Sequence, residues 1–149
     1  GEALYLGHTR LSILDLSADA HQPFFSADRK YCIVFNGEIY NYIELRGELQ
    51  SLGHEFRSQS DTEVLLQGYR EWGTASLNRL VGMFAFAIYD LSKQTIFVAR
   101  DPFGIKPFFY AESEEGVSFS SELESLLVLP WISQAVTTAQ TTCRTSKAR

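Results

Sequence analysis

The sequence predicts an α+β fold in which helices pack on antiparallel sheets. Strand-like segments come first, two amphipathic helices follow, and two candidate hairpins make up the second half. This order lacks the regular strand–helix alternation that builds a parallel sheet, so it favours helices packed on antiparallel strands. A chain of 149 residues is long enough to bury the core of one ordinary domain.

The first predicted elements are strands and a loop. Residues 4–14 predict an irregular or edge strand, and residues 17–28, which are rich in small and polar side chains, predict a loop. Residues 31–35 form a short β-rich run that stops at the turn signal Asn36-Gly37. Cys32 lies inside this apolar run, so we expect a buried core thiol.

Two helices follow from their apolar spacing and their end signals. The first has one apolar face, whose members recur at spacings of three and four residues: Tyr42, Leu45, Leu49 and Leu52. The string Ser60-Asp-Thr-Glu63 fits a capping box that opens the second helix. Gly53 and Gly73 stand where helices commonly end in glycine.

The second half predicts two hairpins, a short helix and a tail. The paired strands are 84–89 with 95–99, and 107–111 with 117–120. A second capping box, Ser121-Glu-Leu-Glu124, predicts a short helix through Leu127. Beyond Trp131 the chain is rich in threonine and has no apolar period, so residues 134–149 are expected to be a disordered tail.

Composition narrows the function classes. A formal net charge of −5 argues against a nucleic-acid surface, which normally carries a basic excess. No segment approaches the roughly 18 consecutive apolar residues that cross a bilayer, and no secretory leader opens the chain. The three histidines show no metal-ligand spacing with either cysteine. We therefore expect a cytoplasmic protein with no metal, membrane or nucleic-acid partner.

Three of four notable motifs each admit two interpretations from their own residues. Asn36-Gly37 is either a turn or a side-chain amide and a backbone N–H that donate together to a developing oxyanion. Arg10, within an apolar strand, either pairs with a carboxylate of the protein or binds a substrate carboxylate. Asp61 complements the helix dipole or meets a substrate ammonium. The string Arg100-Asp-Pro-Phe-Gly-Ile-Lys-Pro107 is explained by a fixed chain reversal.

Five strings taken in order resemble the class II glutamine amidotransferase domain of glutamine-hydrolysing asparagine synthetases. They are Leu6-Gly-His-Thr-Arg-Leu-Ser-Ile-Leu-Asp15, Asn36-Gly-Glu-Ile-Tyr-Asn41, Ser60-Asp-Thr-Glu63, Gly82-Met-Phe-Ala-Phe-Ala-Ile-Tyr-Asp90 and Arg100-Asp-Pro-Phe-Gly-Ile-Lys-Pro107. The resemblance runs from about Leu6 to Trp131. It implies the N-terminal nucleophile (Ntn) hydrolase fold, an αββα sandwich of two antiparallel sheets between helices, here incomplete at the N-terminus.

The resemblance also implies a reaction and a site. In the family a cysteine at the mature N-terminus attacks the side-chain amide of glutamine, ammonia leaves, and water releases glutamate from the thioester. By position, the Asn36 side chain and the Gly37 backbone N–H resemble the oxyanion hole. The glutamine-binding positions that carry over are Arg10 for the α-carboxylate, Leu11 and Ile13 beside it, and Glu38 and Asp61 for the α-ammonium.

The sequence departs from the family at both ends. It shows no Cys-Gly-Ile start, so we expect residues 1–133 to be a partial glutaminase domain that is inactive alone. The implied partners are L-glutamine and a C-terminal synthetase domain, which would use ATP and Mg²⁺ to amidate aspartate. The glutaminase domain itself needs no cofactor, and the intact protein is compatible with a homodimer. Two alternatives stay open, a non-catalytic glutamine-binding module and a same-class amidotransferase with another acceptor.

Overall fold

The computed structural model describes residues 4–8, 21–114 and 116–132, and the backbone alone of residues 137–138 and 144–147. The strands are β1 Phe24–Phe25, β2 Tyr31–Ile39, β3 Gly82–Asp90, β4 Thr95–Arg100, β5 Phe109–Ser113, β6 Gly116–Ser120, β7 Thr137–Thr138 and β8 Arg144–Lys147. The helices are α1 Tyr42–Ser51, α2 Asp61–Trp72 and α3 Leu123–Leu127, with a 3₁₀ helix, Gly73–Arg79, directly after α2.

Two antiparallel sheets lie between helices. The larger sheet has the order β1-β2-β3-β4-β8, and the smaller has the order β6-β5-β7. Helices α1 and α2 pack on one face of the larger sheet, the smaller sheet packs on the other face, and α3 contacts β5 and β6. This arrangement confirms the predicted α+β class and the αββα sandwich.

Residue alternation along β3 explains why the two faces of the larger sheet differ. Phe84, Phe86 and Ile88 belong to the main core under the helices, whereas Ala85 and Ala87 face the smaller sheet. Each fully buried phenylalanine stabilises the fold by about 1.5–3 kcal/mol. The alanines on the opposite face fill little volume, so they leave space between the two sheets.

Several predicted elements are confirmed. Helix α1 and both hairpins, β3–β4 and β5–β6, occur where the patterns predict them. Ser60 is the N-cap of α2, and its hydroxyl accepts a hydrogen bond from the Glu63 N–H at 3.2 Å. The reciprocal half of the capping box is absent, because the Ser60 N–H donates to the Ser58 hydroxyl instead.

The prediction of a turn at Asn36-Gly37 is wrong. Strand β2 continues through both residues to Ile39, and it pairs with β3 over its whole length. The reason is tertiary, since nine consecutive residue pairs with β3 outweigh the turn preference of one dipeptide. Glycine is nonetheless required at position 37, because a Cβ there would lie 2.2 Å from the Met83 carbonyl oxygen.

Three further local predictions need correction. The loop predicted at 17–28 contains strand β1, which pairs with β2, while residues 17–20 lie outside the described residues. Helix α3 begins after Glu122 without a side-chain cap, so the second capping box does not form. Within the segment predicted to be disordered, the backbone of β7 pairs with β5 and that of β8 with β4. The boundary at residue 133 stays a prediction.

The described helices are short, and none combines the length and apolar character needed to cross a membrane. The same part of the chain holds no cluster of three or more histidine, cysteine or acidic side chains suited to a metal ion.

Candidate functional site

A cavity of about 470 Å³ lies between the two sheets, at the end of β2. Asn36, Gly37 and Glu38 of β2 line it, together with Asp61 at the start of α2 and Lys106 from the loop after β4. Ala85 and Ala87 form part of its wall on β3. The small side chains on that face of β3 therefore supply the volume, and β2 supplies the polar groups.

The outer edge of β2 is the one that faces away from β3. Its backbone groups have hydrogen-bond partners on both sides of Gly37. Towards the strand's start, the Gln22 side chain pairs with the main chain of Phe35: its Oε1 accepts from the Phe35 N–H at 2.6 Å and its Nε2 donates to the Phe35 carbonyl at 3.0 Å. Towards its end, Asp61 Oδ2 accepts from the Ile39 N–H at 3.0 Å. Backbone groups of alternate residues point to the same edge of a strand.

The register with β3 fixes the direction of the Gly37 N–H. Gly37 lies opposite Phe84. The Phe84 carbonyl accepts from the Asp101 N–H at 2.7 Å and the Phe84 N–H donates to Asp101 Oδ2 at 3.3 Å, so both groups face away from β2. Opposed antiparallel residues exchange both bonds or neither, so the Gly37 N–H points to the outer edge, between Gln22 and Asp61. Among the described residues it has no acceptor.

The side chains of Asn36 and Glu38 point to the smaller sheet. They share this face with Val34, which packs in the cluster that contains Ala87. Asn36 lies opposite Ala85, whose small side chain leaves room for the amide group. The Asn36 amide and the Gly37 N–H are therefore two donors on adjacent residues, one above the sheet and one at its edge.

Asp61 is a buried carboxylate, 6% exposed, in the first turn of α2. Burial raises its pKa, hydrogen bonds from the Ile39 and Thr62 N–H groups lower it in part, and the charge of Glu38 raises it further. Two acids on one cavity wall repel each other, so a cationic group bound between them relieves that repulsion. This wall is suited to an ammonium group.

The loop after β4 is held by the buried carboxylate of Asp101. Its oxygens accept hydrogen bonds from the N–H groups of Ile105 at 2.9 Å, Lys106 at 3.0 Å and Phe84 at 3.3 Å. The Arg100 guanidinium donates to the carbonyls of Gly104 and Lys106. The predicted chain reversal is thus present, and it places Lys106 at the cavity wall.

Asp101→Asn is expected to lower the free energy of unfolding by about 2 kcal/mol, because an amide nitrogen replaces one acceptor oxygen and faces N–H donors. Burial raises the pKa of Asp101, but the backbone donors lower it more, so the net pKa lies below 3.8. The stabilisation is therefore present above pH 3.8 and is lost as the pH falls through the lower folded-state pKa. Urea unfolding at pH 7 and pH 3 measures both effects.

Asp90→Asn is the matched control for that substitution. Asp90 is equally buried, but among the described residues its Oδ2 has no hydrogen-bond donor and lies 3.4 Å from the exposed Lys93 ammonium. Replacing that oxygen by nitrogen costs less, about 1 kcal/mol or under. Equal losses for the two variants would contradict the role given to Asp101.

The structure places four of the predicted site residues on one cavity: Asn36, Gly37, Glu38 and Asp61. Arg10, Leu11 and Ile13 lie outside the described residues. Cys32 is 3% exposed, as predicted, and burial raises its pKa to about 11.

Sequence reasoning missed Gln22 and the lining role of Lys106. The alternation of phenylalanine and alanine over 84–87 is the one local signal of the cavity, since it predicts a bulky face and a small face on the same strand.

Two solved structures share this fold. The chain superposes on glutamine phosphoribosylpyrophosphate amidotransferase of Bacillus subtilis, complexed with ADP and GMP, with a TM-score of 0.68 and 26% identity, covering 81% of this chain and 28% of that one. An allosteric regulatory enzyme of purine biosynthesis gives a TM-score of 0.56 and 26% identity over 68% of this chain and 23% of that one. These likenesses confirm the Ntn-type sandwich.

A family model described as a glutamine amidotransferase domain matches residues 1–144, and the chain belongs to this family. Among curated relatives, it is 48% identical over 127 residues to asparagine synthetase [glutamine-hydrolyzing] 1 of Bacillus subtilis, covering 85% of this chain. It is 50% identical over 83% of its length to a putative asparagine synthetase of Mycobacterium bovis. The chain spans about a fifth of the length of these relatives, 20% in both cases.

Proposed function

We propose that this chain is the glutaminase portion of a glutamine-hydrolysing asparagine synthetase. The observation that carries the proposal is the convergence of the Asn36 amide, the Gly37 N–H and the Asp61 carboxylate on one cavity. Identities of 48–50% to asparagine synthetases, against 26% to the phosphoribosylpyrophosphate amidotransferase, favour aspartate as the acceptor in the whole protein.

In the proposed complex, glutamine binds as a zwitterion. Asp61 keeps Oδ2 on the Ile39 N–H, so its second oxygen is directed at the α-ammonium, with Glu38 as the other anion of that wall. Arg10 is proposed to bind the α-carboxylate in two-point fashion, with Leu11 and Ile13 beside it. Charges of both signs at fixed separation select an amino acid over a simple amide.

The proposed chemical role of β2 is to stabilise the oxyanion. When a nucleophile attacks the amide carbon of glutamine, its oxygen gains negative charge, which the Gly37 N–H and the Asn36 amide meet with two hydrogen bonds. Loss of one such donor typically slows a reaction by about 100–1,000-fold. The nucleophile of the family is a terminal cysteine; Cys32 does not replace it, because its thiol is 3% exposed and has a pKa of about 11.

The remaining steps are proposed for the synthetase domain of the whole protein. There ATP, with Mg²⁺, would adenylate the aspartate β-carboxylate, and ammonia from glutamine would displace AMP to give asparagine. No cofactor is assigned to the glutaminase portion. A cytoplasmic location and a homodimer of the whole protein belong to the same proposal.

Isothermal titration calorimetry of this chain tests whether L-glutamine is the preferred ligand. We expect L-glutamine to bind, and L-asparagine, one methylene shorter, to bind about 10-fold or more weakly. 4-Carbamoylbutanoate, which lacks the α-ammonium, should bind at least as weakly, since it leaves the acids of the wall unpaired. Equal affinities for all three compounds, or no binding of L-glutamine, would rule the proposal out.

A further inference from the structure

The Gln22 side chain takes the place of a strand residue beside the candidate oxyanion donor. In the β1–β2 register, Phe24 lies opposite Ile33 and Phe25 opposite Cys32. Continuing that register puts residue 22 opposite Phe35, although β1 begins only at Phe24. The amide group of Gln22 accepts from the Phe35 N–H and donates to its carbonyl, as a paired strand residue would.

This pairing has a direct consequence for Gly37. The outer edge of β2 is held at Tyr31 by Ser26, at Phe35 by Gln22 and at Ile39 by Asp61. The register with β3 turns the Gly37 N–H towards this edge. Gly37 is two residues from both Phe35 and Ile39, so these two anchors hold the edge on either side of that donor. The side chains of Gln22 and Asp61 also line the cavity, on either side of that donor.

We propose that Gln22 is a positioning residue that aims the Gly37 N–H at the ligand. The inference rests on the proposed function and adds a residue outside the family strings quoted above. Both polar atoms of the Gln22 side chain are engaged with Phe35, so it acts through the strand and not through the substrate. Without it the Phe35 main chain loses both partners at this edge, and near Gly37 the strand is held only by β3 and by Asp61.

The test compares Gln22→Ala with Ser26→Ala in the ¹⁵N-labelled chain. Ser26 is the matched control, because its hydroxyl accepts from the Tyr31 N–H at 3.1 Å on the same edge but lies away from the cavity. The readouts are amide hydrogen exchange at Phe35 and Tyr31, and the dissociation constant for L-glutamine. Gln22→Glu is the conservative variant, which keeps an acceptor for the Phe35 N–H.

For Gln22→Ala we expect faster exchange at Phe35 and an affinity for L-glutamine lowered about 10-fold, the equivalent of one hydrogen bond. Gln22→Glu should lie between this variant and the wild type. Ser26→Ala should speed exchange at Tyr31 and leave the affinity within about twofold.

Faster exchange at Phe35 with an unchanged affinity in Gln22→Ala would overturn the inference while leaving the proposed function intact. Absence of glutamine binding by the wild type would instead overturn the proposed function, and the inference with it.

Discussion

Replacing Gly37 with alanine is expected to lower the free energy of unfolding by about 3 kcal/mol. The added Cβ would lie 2.2 Å from the Met83 carbonyl oxygen and 2.7 Å from the Phe84 Cα, and both atoms belong to the main chain of β3. A flexible side chain could move aside, but here two central strands must separate. Urea unfolding followed by circular dichroism measures the loss.

Gly47→Ala is the matched control for that substitution. Gly47 lies within α1, and a Cβ there has no atom within 4 Å among its described neighbours. Alanine is the better helix former, so this variant should gain about 0.5–1 kcal/mol. If Gly37→Ala were as stable as the wild type, the close contact of β2 and β3 at the site would be refuted.

Asp61→Asn is expected to lower the affinity for L-glutamine about 10- to 100-fold while the fold is retained. The asparagine oxygen still accepts from the Ile39 N–H, so the link between α2 and β2 is preserved. The variant loses the negative charge of the carboxylate, which in the proposed function pairs with the α-ammonium of glutamine. Calorimetry gives the affinity and thermal unfolding gives the stability.

The pKa of Asp61 sets the sign of two pH effects. Burial raises this pKa above the ordinary value of 3.8, so the folded state holds the proton to a higher pH than the unfolded state. The stability contributed by Asp61 is therefore greatest at low pH, and it falls as the pH rises through the raised pKa. Asp61→Asn should consequently be at least as stable as the wild type at pH 7.

Ligand binding should show the opposite pH dependence, because the ionised carboxylate is the form that pairs with an ammonium. Wild-type affinity should fall as the pH drops through the raised pKa, and Asp61→Asn should lack that step. Glu44→Gln, which removes an exposed acid from the first turn of α1, should bind like the wild type. Normal glutamine binding by Asp61→Asn would show that Asp61 is not part of the binding site.

Most helices and strands could be predicted from the sequence because their signals are local. The spacing of Tyr42, Leu45 and Leu49 predicts α1, and the polar segment between two apolar runs predicts the β3–β4 hairpin. Asn36-Gly37 failed as a local signal, because the partner that keeps it extended is β3, more than 40 residues away in the chain.

The candidate site was less accessible, because its contacts join distant segments. Gln22 meets Phe35 across 13 residues, and Asp61 meets Ile39 across 22, and no periodicity encodes either contact. The residues alone left Asn36 open between a turn and an oxyanion donor, and the resemblance to a family favoured the second role. The role of Glu38 was predicted through that resemblance alone. The role of Arg10 stays a prediction, since it lies outside the described residues.

The central claim is that the outer edge of β2 presents the Gly37 N–H to an amino-acid amide. A ¹⁵N–¹H correlation spectrum of the labelled chain, recorded during titration with L-glutamine, tests it directly. We predict saturable shifts of the Gly37 amide and the Asn36 side-chain amide that share one dissociation constant. Saturable binding that leaves both signals unmoved would contradict the account.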